Sequence, residues 1–197
     1  MPQTLTFWFE FASTYSYLSA MRIDTAAKAA GVTVNWQPFM LGPIFAAQGW
    51  TDSPFNLYPA KGAFMWRDME RRTAKLGLPF QRPPNFPQHT LLAARVALQA
   101  LDTDKGTDFC TSLFKAQFQQ GQSLADPDVI AQALTACDLP RSLISTANTP
   151  EVKTTLKHSV DQAIAHGLFG APSFTIGAEL FWGDDQLEDA LSFAKRT

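Results

Sequence analysis

The apolar pattern opens with a short run of aromatic side chains that stops at small hydroxyl residues. Residues 5–11, Leu-Thr-Phe-Trp-Phe-Glu-Phe, have the bulk and β propensity of a buried strand, interrupted only by Glu10. The run is bounded by Ala12-Ser13-Thr14, and from Tyr15 the apolar positions recur every three or four residues. The pattern therefore predicts a helix that begins where the first strand ends.

Ser13 is the candidate chemical centre, because it lies between that strand and that helix. The positive end of a helix dipole favours an anionic sulfur or oxygen by about 0.3–1 kcal/mol, and the backbone N–H groups there can bind it. A simpler interpretation is that Ser13 only caps the helix, since any strand-to-helix turn favours serine. The turn alone does not choose between the two.

A second strand follows the first helix. Gly31 is a suitable helix stop, and residues 32–36 alternate in the manner of a strand before Gln37-Pro38 ends it. A strand, a helix and a second strand joined in this way normally form a parallel, right-handed unit. The sequence thus predicts an α/β sheet at the head of the chain.

The middle of the chain is predicted to be helical after one irregular stretch. Residues 39–58 combine Gly42-Pro43, Gly49 and Ser53-Pro54 with aromatic residues, which predicts a packed loop over a pocket. The following helices are predicted over residues 59–76, from Gln88 to Leu101, over 109–118, from Asp126-Pro127 to Cys137, over 139–147 and from Thr149-Pro150 to Gly167, with an extended segment over 81–87.

One face of the helix at 59–76 combines a base, an aromatic ring and an acid. Lys61, Phe64 and Asp68 fall on the same side at helical spacing. This set is compatible with a solvated charge pair around a core aromatic residue or with a face turned towards a ligand. Both interpretations stay open.

The last part of the chain is predicted to form a hairpin. Ser173–Ile176 and the residues after the Gly177-Ala178 turn have strand character, and Asp184-Asp185 starts a final helix. The Ala171-Pro172 bond, which enters the first of these strands from a tight loop, is the place where a cis peptide is most plausible.

Composition narrows the possible partners. The 197 residues carry a net charge of -2 and are 46% hydrophobic, which suits a globular protein with a small ligand better than one that binds nucleic acid or an anionic membrane. No signal-like or membrane-spanning run is visible, so a cytoplasmic location is expected. Cys110 and Cys137 are expected to be buried free thiols, and with only three histidines and no Cys/His cluster no metal site is expected. His158 and His166 are interpreted as ordinary surface or cap residues.

The order of elements and several motifs resemble a known family. Phe7–Leu18, Phe169-Gly-Ala-Pro172-Ser-Phe and Leu180-Phe-Trp182-Gly-Asp-Asp185 resemble 2-hydroxychromene-2-carboxylate isomerases, relatives of the kappa-class glutathione transferases. Ser53-Pro-Phe-Asn56, Pro59-Ala-Lys61, Asp68 and Asn85-Phe86-Pro87 match the same pattern. The resemblance spans the chain and implies a DsbA-like thioredoxin fold, with residues 1–40 and 150–197 as the thioredoxin-like domain and 41–149 as an inserted helical domain.

The resemblance implies a role for glutathione. Ser13 stands where the family carries the serine that holds the glutathione thiolate, and Ser13-Thr14-Tyr15-Ser16 has no sulfur at either end. Thiol–disulfide exchange needs a thiolate of the protein itself, so this chain has to use the thiol of another molecule. The implied glutathione-binding residues are Ser13, Tyr15, Ala171, Pro172, Trp182, Gly183, Asp184 and Asp185, and the implied substrate-binding residues are Asn56, Lys61 and Phe86.

The implied activity is a glutathione-dependent isomerisation between a 2-hydroxychromene-2-carboxylate and an open-chain benzylidene pyruvate, in a homodimer that degrades aromatic compounds. A kappa-like glutathione transferase or peroxidase, and a binding protein without catalysis, are the alternatives. Two positions depart from the family. Thr14 replaces a proline, and Phe45-Ala46-Ala47 lacks a lysine that meets the substrate carboxylate in relatives, a role for which Lys61 is the substitute.

Overall fold

A mixed four-stranded sheet forms the base of the structure, a computed structural model that describes residues 4–196. The strand order is β2-β1-β3-β4, with β1 parallel to β2 and antiparallel to β3, and with β3 antiparallel to β4. The strands are β1 (Leu5–Phe9), β2 (Val34–Pro38), β3 (Ser173–Ile176) and β4 (Glu179–Trp182). The predicted β–α–β unit and the predicted hairpin are both confirmed.

Eleven α-helices and one 3-10 turn complete the described part of the chain. The helices are α1 (Thr14–Ala20), α2 (Ile23–Ala30), α3 (Leu41–Ala47), α4 (Pro54–Leu57), α5 (Pro59–Leu76), α6 (Leu91–Ala100), α7 (Gly106–Phe118), α8 (Pro127–Ala136), α9 (Ser142–Thr146), α10 (Pro150–Ala165) and α11 (Leu187–Arg196), and the 3-10 turn spans Asp184–Gln186. This arrangement is the predicted thioredoxin-like fold with a large helical insertion.

The first crossover differs from its prediction in two details. The expected single helix is two helices, α1 and α2, and the break at Met21-Arg22 turns the Arg22 side chain towards Asp184. The second strand lies over Val34–Pro38, two residues later than predicted. It tolerates Pro38 because β2 is an edge strand, where a missing N–H breaks no ladder on the outer side. Gly31 ends α2 in the left-handed conformation, as predicted.

The prediction of a loop over residues 39–58 is wrong, because α3 and α4 form there. Gly42-Pro43 lies in the first turn of α3, where backbone N–H groups have no intrahelical acceptor and proline costs nothing. Ser53 caps α4 and Pro54 is its first residue. The residues that suggested interruption are therefore the start signals of two short helices.

A second correction concerns α6, which begins at Leu91 and not at Gln88. The buried Gln88 side chain is held outside the helix, because its amide donates to the Gln122 carbonyl and accepts from the Leu124 N–H. The predicted starts at Pro59, at Asp126-Pro127 and at Thr149-Pro150 are confirmed.

Sheet and insertion share the main buried core, and a second, smaller cluster lies around Trp8, Phe39 and Val160. Phe9 of β1 contacts Phe11, Trp36 and Phe114, so aromatic rings run without interruption from the sheet to α7 of the insertion. Cys110 is buried in this core and Cys137 is half-buried, and both are free thiols. No helix within residues 4–196 is long and apolar enough to cross a membrane.

Candidate functional site

Ser13 connects the two ends of the thioredoxin-like part of the chain. Its backbone is extended, with φ -79° and ψ 118°, and its Oγ accepts the Ser16 N–H at 3.1 Å, which is the geometry of a helix cap. The same hydroxyl donates to the carbonyl oxygen of Ala171 at 2.8 Å. The Ala171-Pro172 peptide is cis, as is Phe86-Pro87, which the sequence did not suggest. The cap interpretation of Ser13 is confirmed, and the hydroxyl has a second role across the fold.

A large cavity of about 1230 Å³ opens beside Ser13. Its walls come from the turn before α1, from α3 to α5, from the residues before α6, and from the Ala171 loop and the hairpin. Apolar and aromatic side chains predominate, as in sites for small organic ligands. They include Leu41, Phe45, Trp50, Pro54, Phe55, Phe64, Phe86, Pro87, Phe169, Leu180, Phe181 and Trp182.

The structure brings nearly all of the predicted site residues to this cavity. Ser13, Tyr15, Lys61, Phe86, Ala171 and the whole stretch from Trp182 to Asp185 line it. Asn56 does not line it. The Asn56 side chain instead donates to the Phe86 carbonyl and to the Asp52 carboxylate, so it holds residues that do. Pro172, the next residue after Ala171, is buried and is not part of the wall.

Asp184 is the centre of a buried ion network. The residue is only 4% exposed, and its carboxylate accepts from Ser19 at 2.8 Å and from Arg22 at 3.0 Å. Arg22 also pairs with Glu188, and Arg72 lies 3.7 Å from the second Asp184 oxygen. A buried carboxylate needs such partners, since burying an unpaired charge is costly. The Asp184 side chain is thus already occupied within the protein, in contrast to the exposed Asp185 beside it.

The network continues into the cavity through α5. Arg72 donates to Asp68 at 2.8 Å, and the Tyr15 hydroxyl donates to the same Asp68 oxygen at 3.1 Å. Burial, followed by the negative charge of Asp68, raises the pKa of Tyr15. Tyr15 therefore stays protonated and acts as a hydrogen-bond donor on the cavity wall. Lys61, Phe64 and Asp68 all line the cavity, and Phe64 is exposed and so is not a core aromatic residue. A ligand-binding role for this face stays a prediction.

Two glycines shape the wall opposite α5. Gly170 lies so close to the Trp182 indole that a Cβ at this position would overlap Nε1. Trp182 also packs against Phe169, with ring centroids 4.8 Å apart and the ring planes tilted by 56°. Gly183 has φ +106°, and a Cβ there would lie 2.6 Å from an Asp185 oxygen. Trp182 is 52% exposed, so a large aromatic surface faces the opening.

Sequence reasoning missed the role of Glu10. This residue is only 8% exposed, lines the cavity, and accepts the Leu41 N–H at the start of α3 at 2.9 Å. Burial raises the pKa of Glu10 to about 7, against the opposing effects of the Leu41 N–H and the Thr90 hydroxyl. The available signal was a single carboxylate inside an otherwise aromatic run.

Positive charge is scarce in the cavity. Its basic residues are Lys61, whose Nζ lies 4.7 Å from the centre of the Tyr58 ring, and Arg72, which is bound to Asp68 and Asp184. The acidic residues of the lining are Glu10, Asp52, Asp68, Asp184 and Asp185. Within residues 4–196, no group of three or more His, Cys, Asp or Glu side chains is arranged to hold a metal ion.

The fold and the site together define a thioredoxin-like protein without the cysteine pair of the disulfide oxidoreductases. The DSBA-like thioredoxin domain model matches residues 4–193, and the chain belongs to that family.

The chain is similar in sequence to known enzymes and in fold to a solved structure. The chain is 27% identical to the 2-hydroxychromene-2-carboxylate isomerase of Sphingobium xenophagum over 197 residues, which cover 95% of this chain and 96% of that protein. It is 21% identical to human glutathione S-transferase kappa 1, with coverage of 95% and 89%. A solved 2-hydroxychromene-2-carboxylate isomerase superposes with a TM-score of 0.88 at 21% identity, covering 98% of this chain and 95% of that one. These similarities support an enzyme of the isomerase type.

Proposed function

We propose that this protein is a glutathione-dependent isomerase that interconverts a 2-hydroxychromene-2-carboxylate-type substrate and its open-chain benzylidene pyruvate. The observation that carries the proposal is the position of Ser13, whose hydroxyl lies at the N-terminus of α1 and at the wall of an aromatic cavity. No cysteine occupies either end of the Ser13–Ser16 turn, so the sulfur has to come from a bound molecule.

The residues present fit a bound tripeptide thiol. The first N–H groups of α1 lack intrahelical acceptors, and the Ser13 hydroxyl can turn its proton from Ala171 to a sulfur atom. The Ala171 carbonyl is then released for a peptide N–H. Asp185 is exposed at the cavity edge and suits an ammonium group, while Asp184, which Arg22 and Ser19 already bind, supports the turn from inside.

Bound glutathione would supply the nucleophilic sulfur for addition to the conjugated ring system of the substrate. The chain supplies the remaining requirements. The Ser13 hydroxyl and the α1 N-terminus lower the energy of the sulfur anion, and the aromatic wall around Phe86 and Trp182 holds a flat ring. Lys61, the lining cation outside the Arg72 network, is the residue that meets the substrate carboxylate.

The same cavity favours one second candidate, a kappa-like glutathione transferase. Acidic residues outnumber basic ones in the lining, and the Phe45-Ala46-Ala47 stretch has no lysine of the kind that relatives carry there. A substrate without a carboxylate would suit this lining better than an acid. A transferase consumes glutathione, whereas an isomerase returns it.

An assay with two substrates tests the proposal. Purified protein is incubated with glutathione and either a 2-hydroxychromene-2-carboxylate or chlorodinitrobenzene, and ring opening, conjugate and remaining thiol are measured. Isomerisation with constant thiol is the expected result. Conjugation without isomerisation would replace the proposal with the transferase, and calorimetry showing no binding of millimolar glutathione would leave a protein without either activity.

A further inference from the structure

The proposed function requires a group that takes up the thiol proton of glutathione. Free glutathione is mostly protonated at neutral pH, because its thiol has a pKa of about 8.5, so binding as a thiolate has to release the proton to a base or to solvent. Ser13 is not that base. Its oxygen already accepts the Ser16 N–H, its proton is already donated to Ala171, and a hydroxyl does not take a second proton at this pH.

Most other candidates for the base are also excluded by their surroundings. No histidine within residues 4–196 lines the cavity. Asp68 and Asp184 are already paired with the guanidinium groups of Arg72 and Arg22. The remaining acidic residues of the lining are the exposed Asp52 and Asp185, which bulk water solvates.

Glu10 differs from all of these carboxylates. It lines the cavity without a basic partner among the described residues, and its carboxylate accepts a hydrogen bond from a neutral group, the Leu41 N–H. It is also tied to the reactive turn, because the Glu10 carbonyl accepts the Ser13 N–H at 3.0 Å. Glu10 is thus a desolvated carboxylate at the same turn as Ser13.

We infer that Glu10 accepts the thiol proton of bound glutathione and so forms the thiolate that lies beside Ser13. The inference rests on the proposed function. In this step the S–H bond breaks, the proton forms an O–H bond on the Glu10 carboxylate, and the electron pair stays on sulfur, so nothing is oxidised or reduced. The pair carries a single negative charge before and after the transfer, and the buried site never holds two adjacent anions.

Burial raises the pKa of the Glu10 carboxyl to about 7 in the free protein. This agrees with the role, since the carboxyl is ionised above neutrality and returns to the acid form beside a thiolate. α3, which contacts Glu10 through Leu41, has no charged residue, and the segment before α6 contributes the exposed His89. The other charged groups around the cavity are Asp52, Lys61, Asp68, Arg72, Asp184 and Asp185.

Counting protons tests the inference independently of turnover. Glutathione is titrated into the full chain by calorimetry at about pH 8 in two buffers that differ in ionisation enthalpy, which gives the number of protons released. We expect release near zero for the native protein, and about 0.8 proton per glutathione for Glu10→Gln, as for a thiol of pKa about 8.5. Thiolate ultraviolet absorbance of the complex is recorded in parallel to show that the bound sulfur is ionised.

Three controls make the result specific. Glu10→Gln keeps an oxygen for the Leu41 N–H, so it is expected to fold, and Glu10→Asp retains a carboxylate and is expected to behave like the native protein. Asp52→Asn removes an exposed carboxylate of the same cavity and should leave the proton count unchanged. S-methylglutathione has no thiol proton and should bind without proton release to any variant.

The possible results distinguish a failure of the Glu10 role from a failure of the proposed function. Equal proton release by the native protein and Glu10→Gln, with glutathione bound as a thiolate, would overturn the role of Glu10 and leave the proposed function standing. Failure of the native protein to bind glutathione would overturn the proposed function and this inference together.

Discussion

The Ser13 hydroxyl donates a hydrogen bond to the Ala171 carbonyl at 2.8 Å, across 158 residues of sequence. A single side chain thereby caps α1 and fixes the loop that precedes β3. Removal of the hydroxyl should affect both the stability of the fold and the chemistry of the site, and the two effects can be separated by choice of control.

For Ser13→Ala we expect a loss of about 0.5–2 kcal/mol in the free energy of unfolding, which is the usual cost of removing a helix cap. We expect glutathione-dependent turnover to fall at least about tenfold, because the sulfur anion loses a hydrogen-bond donor. Urea unfolding and the isomerase assay measure the two effects. Asp126→Ala removes the cap of α8 and should cost similar stability without loss of turnover. Equal turnover in Ser13→Ala and the native protein would reduce Ser13 to a cap.

Glu10 should make stability depend on pH. Its pKa rises from 4.5 in the unfolded chain to about 7 in the folded protein, so between these values the folded state binds more protons and stability falls as pH increases. Glu10→Gln should remove this fall in stability. Its free energy of unfolding should exceed that of the native protein by up to about 3 kcal/mol above pH ~7, and the two should differ little near pH ~4. Urea unfolding at both ends of the range checks this. If the free energy of unfolding changed with pH by the same amount in both proteins, the burial of Glu10 would have no such effect.

Gly170→Ala should displace the Trp182 indole, because the added methyl group overlaps its Nε1. We expect a changed tryptophan emission and weaker binding of glutathione, which fluorescence titration measures. Gly42→Ala is the matched control, since Gly42 also lines the cavity and has open space where its Cβ would be. An unchanged glutathione affinity in Gly170→Ala would exclude the Trp182 position from the binding site.

Arg22→Leu should destabilise the protein strongly, because it leaves the buried Asp184 carboxylate without its main partner. Breaking a buried ion pair on one side typically costs about 3–5 kcal/mol. Arg67→Leu, which breaks the exposed pair with Glu70, should change stability by less than about 1 kcal/mol. Thermal unfolding of the two variants compares them directly, and similar midpoints would mean that Arg72 and Ser19 alone satisfy Asp184.

The sequence predicted the parts of this structure that depend on local pattern. Strand β1, the cap at Ser13 and the hairpin follow from periodicity and turn residues close to them in the chain. It failed where a partner distant in sequence decides the conformation. Gln88 stays out of α6 because of Gln122 and Leu124. The first N–H of α3, that of Leu41, is bound by Glu10, which lies in the turn after β1.

The same distinction holds for the site. The residue types around Ser13 and Trp182 were enough to predict that these segments belong to the site. The ion pair between Arg22 and Asp184 depends on the break between α1 and α2, which the spacing of apolar residues did not predict. The raised pKa of Glu10 is a result of burial, and burial is a property of the assembled fold.

The aromatic contacts between β1 and α7 bear on how the protein unfolds. Phe9 and Phe11 of the first strand region pack directly on Phe114 of the insertion, so the main buried cluster belongs to both parts and is lost from both together. Sheet and insertion are therefore expected to unfold in one cooperative transition, so the local stability of the turn at Ser13 is expected to equal that of the whole chain.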